Sequence, residues 1–124
     1  MYMYSADMLL EYGAAIRTVG KMLKRINANI LTTRKFLKVL DRDTSSQVYV
    51  ARIEACIVAM RGHRDTTENI ESAIRADFAD VLGQRAAACR DRLAGRLADM
   101  RAASEGAELE LSSALAIMCT SKLP

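Results

Sequence analysis

A heptad pattern of apolar residues fills the first third of the sequence and constrains the fold more than any other feature. Ten residues follow alternating steps of three and four, the spacing that places side chains along one face of a helix. We call them the a/d seam; they are Leu9, Tyr12, Ile16, Val19, Leu23, Ile26, Ile30, Thr33, Leu37 and Leu40. A pattern of this length predicts one long helix whose seam packs against neighbouring helices.

The seam is widened by residues on its flank. The g positions of the same heptads carry Met8, Ala15, Met22 and Phe36, which suits a helix that contacts two neighbours rather than one. We expect this helix to begin near Ser5, a plausible N-cap, and to end near Asp41. At ~1.5 Å per residue it would be roughly 54 Å long, too long for a compact globule of this size.

The composition agrees with an all-helical chain. Proline occurs once, at the last position, tryptophan is absent and aromatic residues make up 5% of the sequence, too few for the core of a β-sandwich. A chain of 124 residues fits one domain. We therefore expect a single all-α domain over residues 1–124.

Two further apolar stripes predict two more long helices. After the polar segment at 41–46, the second stripe is Tyr49, Ile53, Cys56, Met60, His63, Thr67, Ile70 and Ile74. The third is Cys89, Leu93, Leu97, Met100, Ala107, Leu111, Leu115 and Met118. We predict helices near 5–41, 46–82 and 85–120, closing into an elongated antiparallel bundle or coiled-coil hairpin.

A break near 62–66 is the alternative, and it would divide the chain into four helices. Gly62 follows a basic turn, and Asp65 with Glu68 could form a capping box at a new helix start. A break at Gly83 is favoured because it yields three helices of matched length. Elsewhere, Gly13 and Gly20 share a helix face and are expected to admit a close neighbouring helix, and Gly106 is a candidate site for a kink.

Charge is distributed unevenly along the chain. Residues 1–42 hold eight Lys or Arg against three Asp or Glu, whereas residues 65–124 hold seven against ten. Five cations occupy the b and f positions of the first helix, opposite the seam; this basic stripe is Arg17, Lys21, Lys24, Lys35 and Lys38. The stripe could be a solvated outer face or could pair with the acidic third helix. Alternatively, it could be a docking strip for an acidic partner.

The residue patterns of catalytic and metal centres are missing. The single histidine, His63, has no glutamate three residues before it, which excludes a four-helix carboxylate metal centre. Cys56 and His63 share a face but lie two turns apart, ~10 Å along the axis, too far for a thiolate–imidazole pair. We expect no catalytic residue, no metal and no cofactor.

The three cysteines lack the spacing of a disulfide framework or a zinc site. Cys56, Cys89 and Cys119 each lie in an apolar helical context and are expected to be buried thiols in a reducing compartment, although the sequence leaves open whether Cys119, near the end of the chain, is exposed and reactive. The N-terminal residues do not resemble a signal peptide, and no apolar stretch reaches the ~20 residues that a transmembrane helix needs. These features predict a soluble, intracellular protein.

The function expected from these features is protein interaction without catalysis. The chain would serve as a subunit, adaptor or chaperone-like component of a larger assembly, with a protein partner or a second copy held at the seam and the basic stripe of the first helix. Its apolar edge would include Met8, Met22 and Phe36. A nucleic-acid-binding helical module is less favoured, because no stacking aromatics accompany the stripe, and a peripheral membrane-surface protein is the third alternative.

Overall fold

Three long helices make up the described part of the protein. The structure, a computed structural model, describes residues 2–40, 47–80 and 86–121, with side chains for 7–40, 47–79 and 88–120. Helix α1 spans Tyr2–Leu40, α2 spans Gln47–Asp80 and α3 spans Ala86–Ser121, and these ranges contain no strand. The prediction of an all-α fold with three long helices is confirmed. Ser5 lies inside α1, so its prediction as the N-cap was wrong.

Helix α2 runs without interruption across residues 62–66, so the four-helix alternative was wrong. Asp65 and Glu68 do not cap a new helix there; both carboxylates face Arg64, at 3.4 and 3.9 Å. Thr67 is fully buried, and its hydroxyl donates to the carbonyl oxygen of His63 one turn earlier, at 2.8 Å. The polar residues of this segment are therefore satisfied within a continuous helix. The expected loop at 41–46 and the break at Gly83 lie outside the described residues.

Helices α1 and α2 are antiparallel. The rings of Tyr12 and Phe78 lie 6.2 Å apart, and the hydroxyl of Thr33 reaches the sulfur of Met60 at 3.7 Å. Residue numbers thus rise along α1 where they fall along α2. These two contacts confirm the expected antiparallel arrangement of α1 and α2.

Helix α3 runs parallel to α1, and two ion pairs show it. Glu11 pairs with Arg90 at 3.6 Å, and farther along both helices Arg25 pairs with Glu108 at 2.7 Å. Every pair of helices is in contact, although α1 and α3 contact each other less extensively than either contacts α2. The three helices therefore form a closed bundle whose least extensive interface lies between α1 and α3.

Two clusters of buried side chains fill the bundle. The first core cluster contains Met8, Tyr12, Ala15, Val19, Ile74, Cys89, Leu93 and Met100. The second contains Ile26, Ile30, Leu40, Val50, Ile53, Cys56, Ile57, Met60, Ala107, Ala114 and Met118. Every residue of the a/d seam is buried or half-buried, as predicted. The a/d seam therefore packs within the protein's own core.

The close helix approach occurs at Gly106, where the ring of His63 lies against the backbone of α3. A Cβ at Gly106 would meet three ring atoms of His63, the nearest at 2.5 Å, so any larger residue would require the imidazole ring to move. The expected close approach at Gly13 and Gly20 was wrong: a Cβ at Gly20 would meet nothing within 4 Å, and one at Gly13 would meet only Arg17 of the same helix. Helix α3 continues through Gly106.

Candidate protein-docking surface

The basic stripe is fully displayed to solvent. All five of its side chains are exposed, and within the described residues none of them takes part in an ion pair. The two ion pairs between α1 and α3 use other residues. The stripe is therefore not the mate of the acidic helix, and the interpretations that remain are a solvated face or a docking strip.

Apolar side chains alternate with the stripe, a feature that the sequence analysis missed. Leu10 is 72% exposed and Leu31 is 57% exposed. We call the b and f rows together the outer face of α1; its members are Leu10, Ala14, Arg17, Lys21, Lys24, Ala28, Leu31, Lys35 and Lys38. The signal was present in the sequence, because both leucines stand a multiple of seven residues from Arg17. This face offers apolar and cationic contacts side by side.

The apolar edge expected along α1 lies partly inside the bundle. Met8 is fully buried in the first core cluster, so its expected place at an exposed edge was wrong. Met22 and Phe36 are half-buried, packed against the first and second core clusters respectively. A g position lies on the side of α1 that faces α3, which explains why these residues turn inward. Apolar surface for a partner must come from elsewhere.

One such surface is an apolar groove between α1 and α3. Its volume is about 470 Å³, and its apolar lining is Ala14, Ala15, Leu93, Ala94, Leu97 and Met100. Glu11 and Arg90 stand at one end. The groove exists because alanine faces alanine here: short side chains on both helices leave space that no third side chain fills.

A second groove, between α2 and α3, has a different lining. Its volume is about 580 Å³, and His63, Thr66, Asn69 and Asp99 contribute polar groups to it. Arg96 also lines it, but its guanidinium is held by Asp77 at 3.2 Å. We call this the polar groove and the former the apolar groove.

The polar groups near Tyr12 join the three helices. The Tyr12 hydroxyl donates to the carbonyl oxygen of Cys89 at 3.1 Å, joining α1 to α3. Burial, and after it the charge of Asp77, raises the pKa of Tyr12 above its ordinary value of 10.0. Arg92 and Arg96 both donate to Asp77, joining α3 to α2. Each group is occupied by a structural contact.

The Cys56 thiol and the His63 imidazole lie beside different residues of α3. Burial, and after it Glu110, raises the pKa of the Cys56 thiol above 9.0, which disfavours the reactive thiolate. Cys56 thus has Glu110 beside it, whereas His63 lies on Gly106. Within the described residues no three side chains of His, Cys, Asp or Glu are arranged to hold a metal ion.

The cysteines divide into two kinds. None of the three forms a disulfide; Cys56 and Cys89 are buried as expected, whereas Cys119, whose exposure the sequence left open, is exposed. Position 119 falls on the solvent side of α3, next to the buried Met118. In the described part of the chain, none of the three helices has an apolar stretch that would let it cross a lipid bilayer.

Three comparisons with known proteins found no match to this chain. No protein-family model matches the sequence. No curated protein and no solved structure matches it either. The function must be argued from the surfaces themselves.

Proposed function

We propose that this protein is a non-enzymatic helical interaction protein that binds a protein partner through the outer face of α1. It would act as a subunit, adaptor or chaperone-like component of a larger assembly. The observation that supports this proposal is the state of the basic stripe: five exposed cations that form no ion pair with any residue the structure describes, interleaved with the exposed Leu10 and Leu31.

The free cations have an electrostatic consequence. Between Glu11 and Asp41 the sequence has no acidic residue, so no carboxylate of α1 lies among the cations of the stripe. A surface with one sign of charge attracts a partner of the opposite sign and speeds its association. The partner's contacting surface should therefore be acidic.

The exposed leucines favour a protein partner over nucleic acid. An isolated exposed leucine is ordinary, but two in one row with the cations give a partner an apolar contact as well as charge. The outer face carries no aromatic residue on which a base could stack. Nucleic acid would use the cations and leave the leucines in water.

The same arrangement bears on compartment and chemistry. We place the protein in an intracellular, reducing compartment, and support comes from its three cysteines, which form no disulfide. Its polar groups at Tyr12 and Asp77 are occupied by contacts between helices, which supports a role without catalysis. Assembly through α1 would leave these contacts intact.

Site-specific photo-crosslinking in the cells that make the protein tests the proposal. A photoreactive amino acid is placed at Leu31 on the outer face of α1, or at Ser72, which is exposed on α2. We expect a discrete protein adduct from position 31 and none from position 72. The adduct should disappear when Lys21→Glu and Lys24→Glu are combined in the same chain.

A matched charge reversal supplies the control. Arg52→Glu with Arg75→Glu changes the net charge equally on the exposed side of α2, and the adduct at Leu31 should persist. Equal adducts at Leu31 and Ser72, or an adduct that survives reversal of Lys21 and Lys24, would contradict the proposal. So would binding of the purified chain to duplex DNA or to vesicles containing phosphatidylserine that is lost on the same reversal while no protein adduct forms.

A further inference from the structure

The apolar groove is exposed surface that the bundle itself does not cover. Its floor is formed by Leu93 and Met100, which are almost fully buried, and by the half-buried Leu97. Its two sides, which we call the α1 bank and the α3 bank, carry the exposed Ala14 and the exposed Ala94 respectively. Side chains this short cannot meet across the gap, so the groove stays open to any apolar group that fits between the helices.

The charges along the groove have mainly one sign. On the α3 bank Arg101 is exposed and has no ion pair within the described residues. On the α1 side the groove meets the basic stripe, because Lys21 stands one heptad after Ala14 in the same row. The acid in the lining is Glu11, and Arg90 already pairs with it. An occupant with acidic groups on both flanks would find a cation beside each flank.

The dimensions fit one helix. The α3 bank extends from Arg90 to Arg101, roughly 17 Å along a helix axis. A helix is about 10–12 Å across, so it would lie over the groove and insert only the side chains of its apolar face. Helices held this way use residues at i, i+3, i+4 and i+7 as anchors, which corresponds to about two heptads.

We propose that the apolar groove seats a single acidic amphipathic helix of the partner, which completes a four-helix bundle with α1 and α3 as its nearest neighbours. This inference rests on the proposed function and specifies its partner. Leucines of the incoming helix occupy the space between Ala14 and Ala94, and its flanking carboxylates face Arg101 and Lys21.

The probe for this inference is a stapled helical peptide of about 14 residues with a fluorescent label. Leucine occupies its a and d positions, and its e and g positions carry glutamate in one version and lysine in the other; stapling is needed because helices this short are marginal in water. We expect fluorescence anisotropy with the purified chain to show the glutamate peptide binding at least about tenfold more tightly than the lysine peptide.

Groove-blocking variants locate the peptide. Ala14→Trp and Ala94→Trp each place a large side chain in the groove from an exposed position, and each should weaken binding of the glutamate peptide at least about tenfold. Ala76→Trp, at an exposed position of α2, should leave binding unchanged. Circular dichroism confirms that each variant is folded. Arg101→Glu, compared with Arg52→Glu, repeats the test without adding bulk.

The outcomes separate this inference from the proposed function. If neither peptide binds, or if the glutamate peptide binds Ala14→Trp, Ala94→Trp and Ala76→Trp equally well, the apolar groove is not the binding site of the helix. If the crosslink at Leu31 still forms in that case, the proposed function stands. Self-association of the chain that Ala94→Trp abolishes, measured by sedimentation, would show that a second copy is the occupant instead. If Ala94→Trp abolishes peptide binding but no crosslink forms at Leu31, the groove stands as a helix-binding site and the outer face of α1 is overturned as the docking surface.

Discussion

The two grooves that flank α3 have similar volumes, about 470 Å³ for the apolar groove and about 580 Å³ for the polar groove, yet they differ in lining. Water in the polar groove can bond to Asn69, Thr66 and Asp99. In the apolar groove, Leu93 and Leu97 give water no hydrogen-bonding partner. The polar groove has apolar lining too, from Ile70, Ala102 and Ala103, but the apolar groove exposes more apolar surface. Because exposed apolar surface costs free energy in proportion to its area, the apolar groove gains more by being covered.

The comparison also shows when a small residue brings helices together. Gly106 has no side chain, and the imidazole ring of His63 from α2 fills the space where a side chain would lie. Between Ala14 and Ala94 both partners are small, and the space stays open. A small residue therefore closes an interface only when the facing residue is large enough to fill the room it leaves.

The largest effect that tests this comparison is the coupling between His63 and Gly106. Gly106→Ala gains helix propensity of about 0.5–1 kcal/mol but collides with the imidazole ring. In a His63→Ala background the collision is gone, and only the gain remains. We expect a coupling energy of about 1–2 kcal/mol in a double-mutant cycle measured by urea denaturation.

A coupling energy near zero would show that the imidazole swings freely into the polar groove when the methyl group is added. The close contact would then not hold α2 against α3, and the contrast between the two sides of α3 would lose its structural basis. Unchanged m-values across the cycle are the control, since they show that the variants unfold from equally compact states.

The next effect concerns Tyr12, whose hydroxyl ties α1 to α3 through Cys89 in the cluster beneath the apolar groove. Tyr12→Phe keeps the ring in place and removes this hydrogen bond. We expect a loss of about 0.5–1.5 kcal/mol of unfolding free energy near neutral pH. A loss below this range would mean that the bond does not hold the least extensive interface of the bundle.

The effect of Tyr12→Phe should depend on pH. Because burial raises the pKa of Tyr12 above 10.0 in the folded protein, the hydroxyl stays protonated after the unfolded chain has begun to ionise. The stabilisation by this group is therefore fully present below about pH 10 and is lost as the pH rises toward the folded-state pKa. The stability difference between wild type and Tyr12→Phe should therefore be the same at about pH 8 and about pH 9 and should shrink above about pH 10. A constant difference would contradict the pKa shift.

The bundle could be predicted from the sequence because its signals are local. The a/d seam needs only the spacing of residues such as Val19, Ile26 and Ile30 along one helix, and the structure buries all three. The continuity of α2 was harder to predict. Gly62 and Asp65 are typical of a helix boundary, whereas the hydroxyl of Thr67 returns to its own helix.

The grooves could not be predicted because they depend on which faces of two distant helices meet. Nothing in the spacing of Ala14 says that Ala94 will stand across from it. The same reason explains the error over glycines: Gly20 is placed like a contact residue along α1, but the close contact belongs to Gly106, whose partner is on another helix. The exposed leucines of the outer face, by contrast, could have been found from their heptad positions.

A smaller effect comes from Gly20, which lies outside both grooves. A Cβ at this position meets no atom within 4 Å, and the residue is in the middle of α1. Gly20→Ala should raise the unfolding free energy by about 0.5–1 kcal/mol through helix propensity alone. Urea denaturation checks it, and the value supplies the baseline against which the Gly106 variant is compared. Destabilisation would reveal a contact on this face of α1.

The smallest effect compares the grooves directly through two exposed alanines of the same helix. Ala94 borders the apolar groove and Ala102 borders the polar groove, so leucine at either position changes helix propensity equally. At Ala94 the new side chain lies in a groove with mainly apolar lining, beside Leu93 and Leu97; at Ala102 it lies among Thr66, Asn69 and Asp99 as well as Ile70, and gains less burial against apolar surface. We expect Ala94→Leu to be more stable than Ala102→Leu by about 0.5 kcal/mol, since burial of one CH₂ contributes about 0.8 kcal/mol. Thermal unfolding of the two variants side by side measures the difference. Equal stabilities would mean that water is as well accommodated in the apolar groove as in the polar one, and the free-energy argument for covering it with a helix would fail.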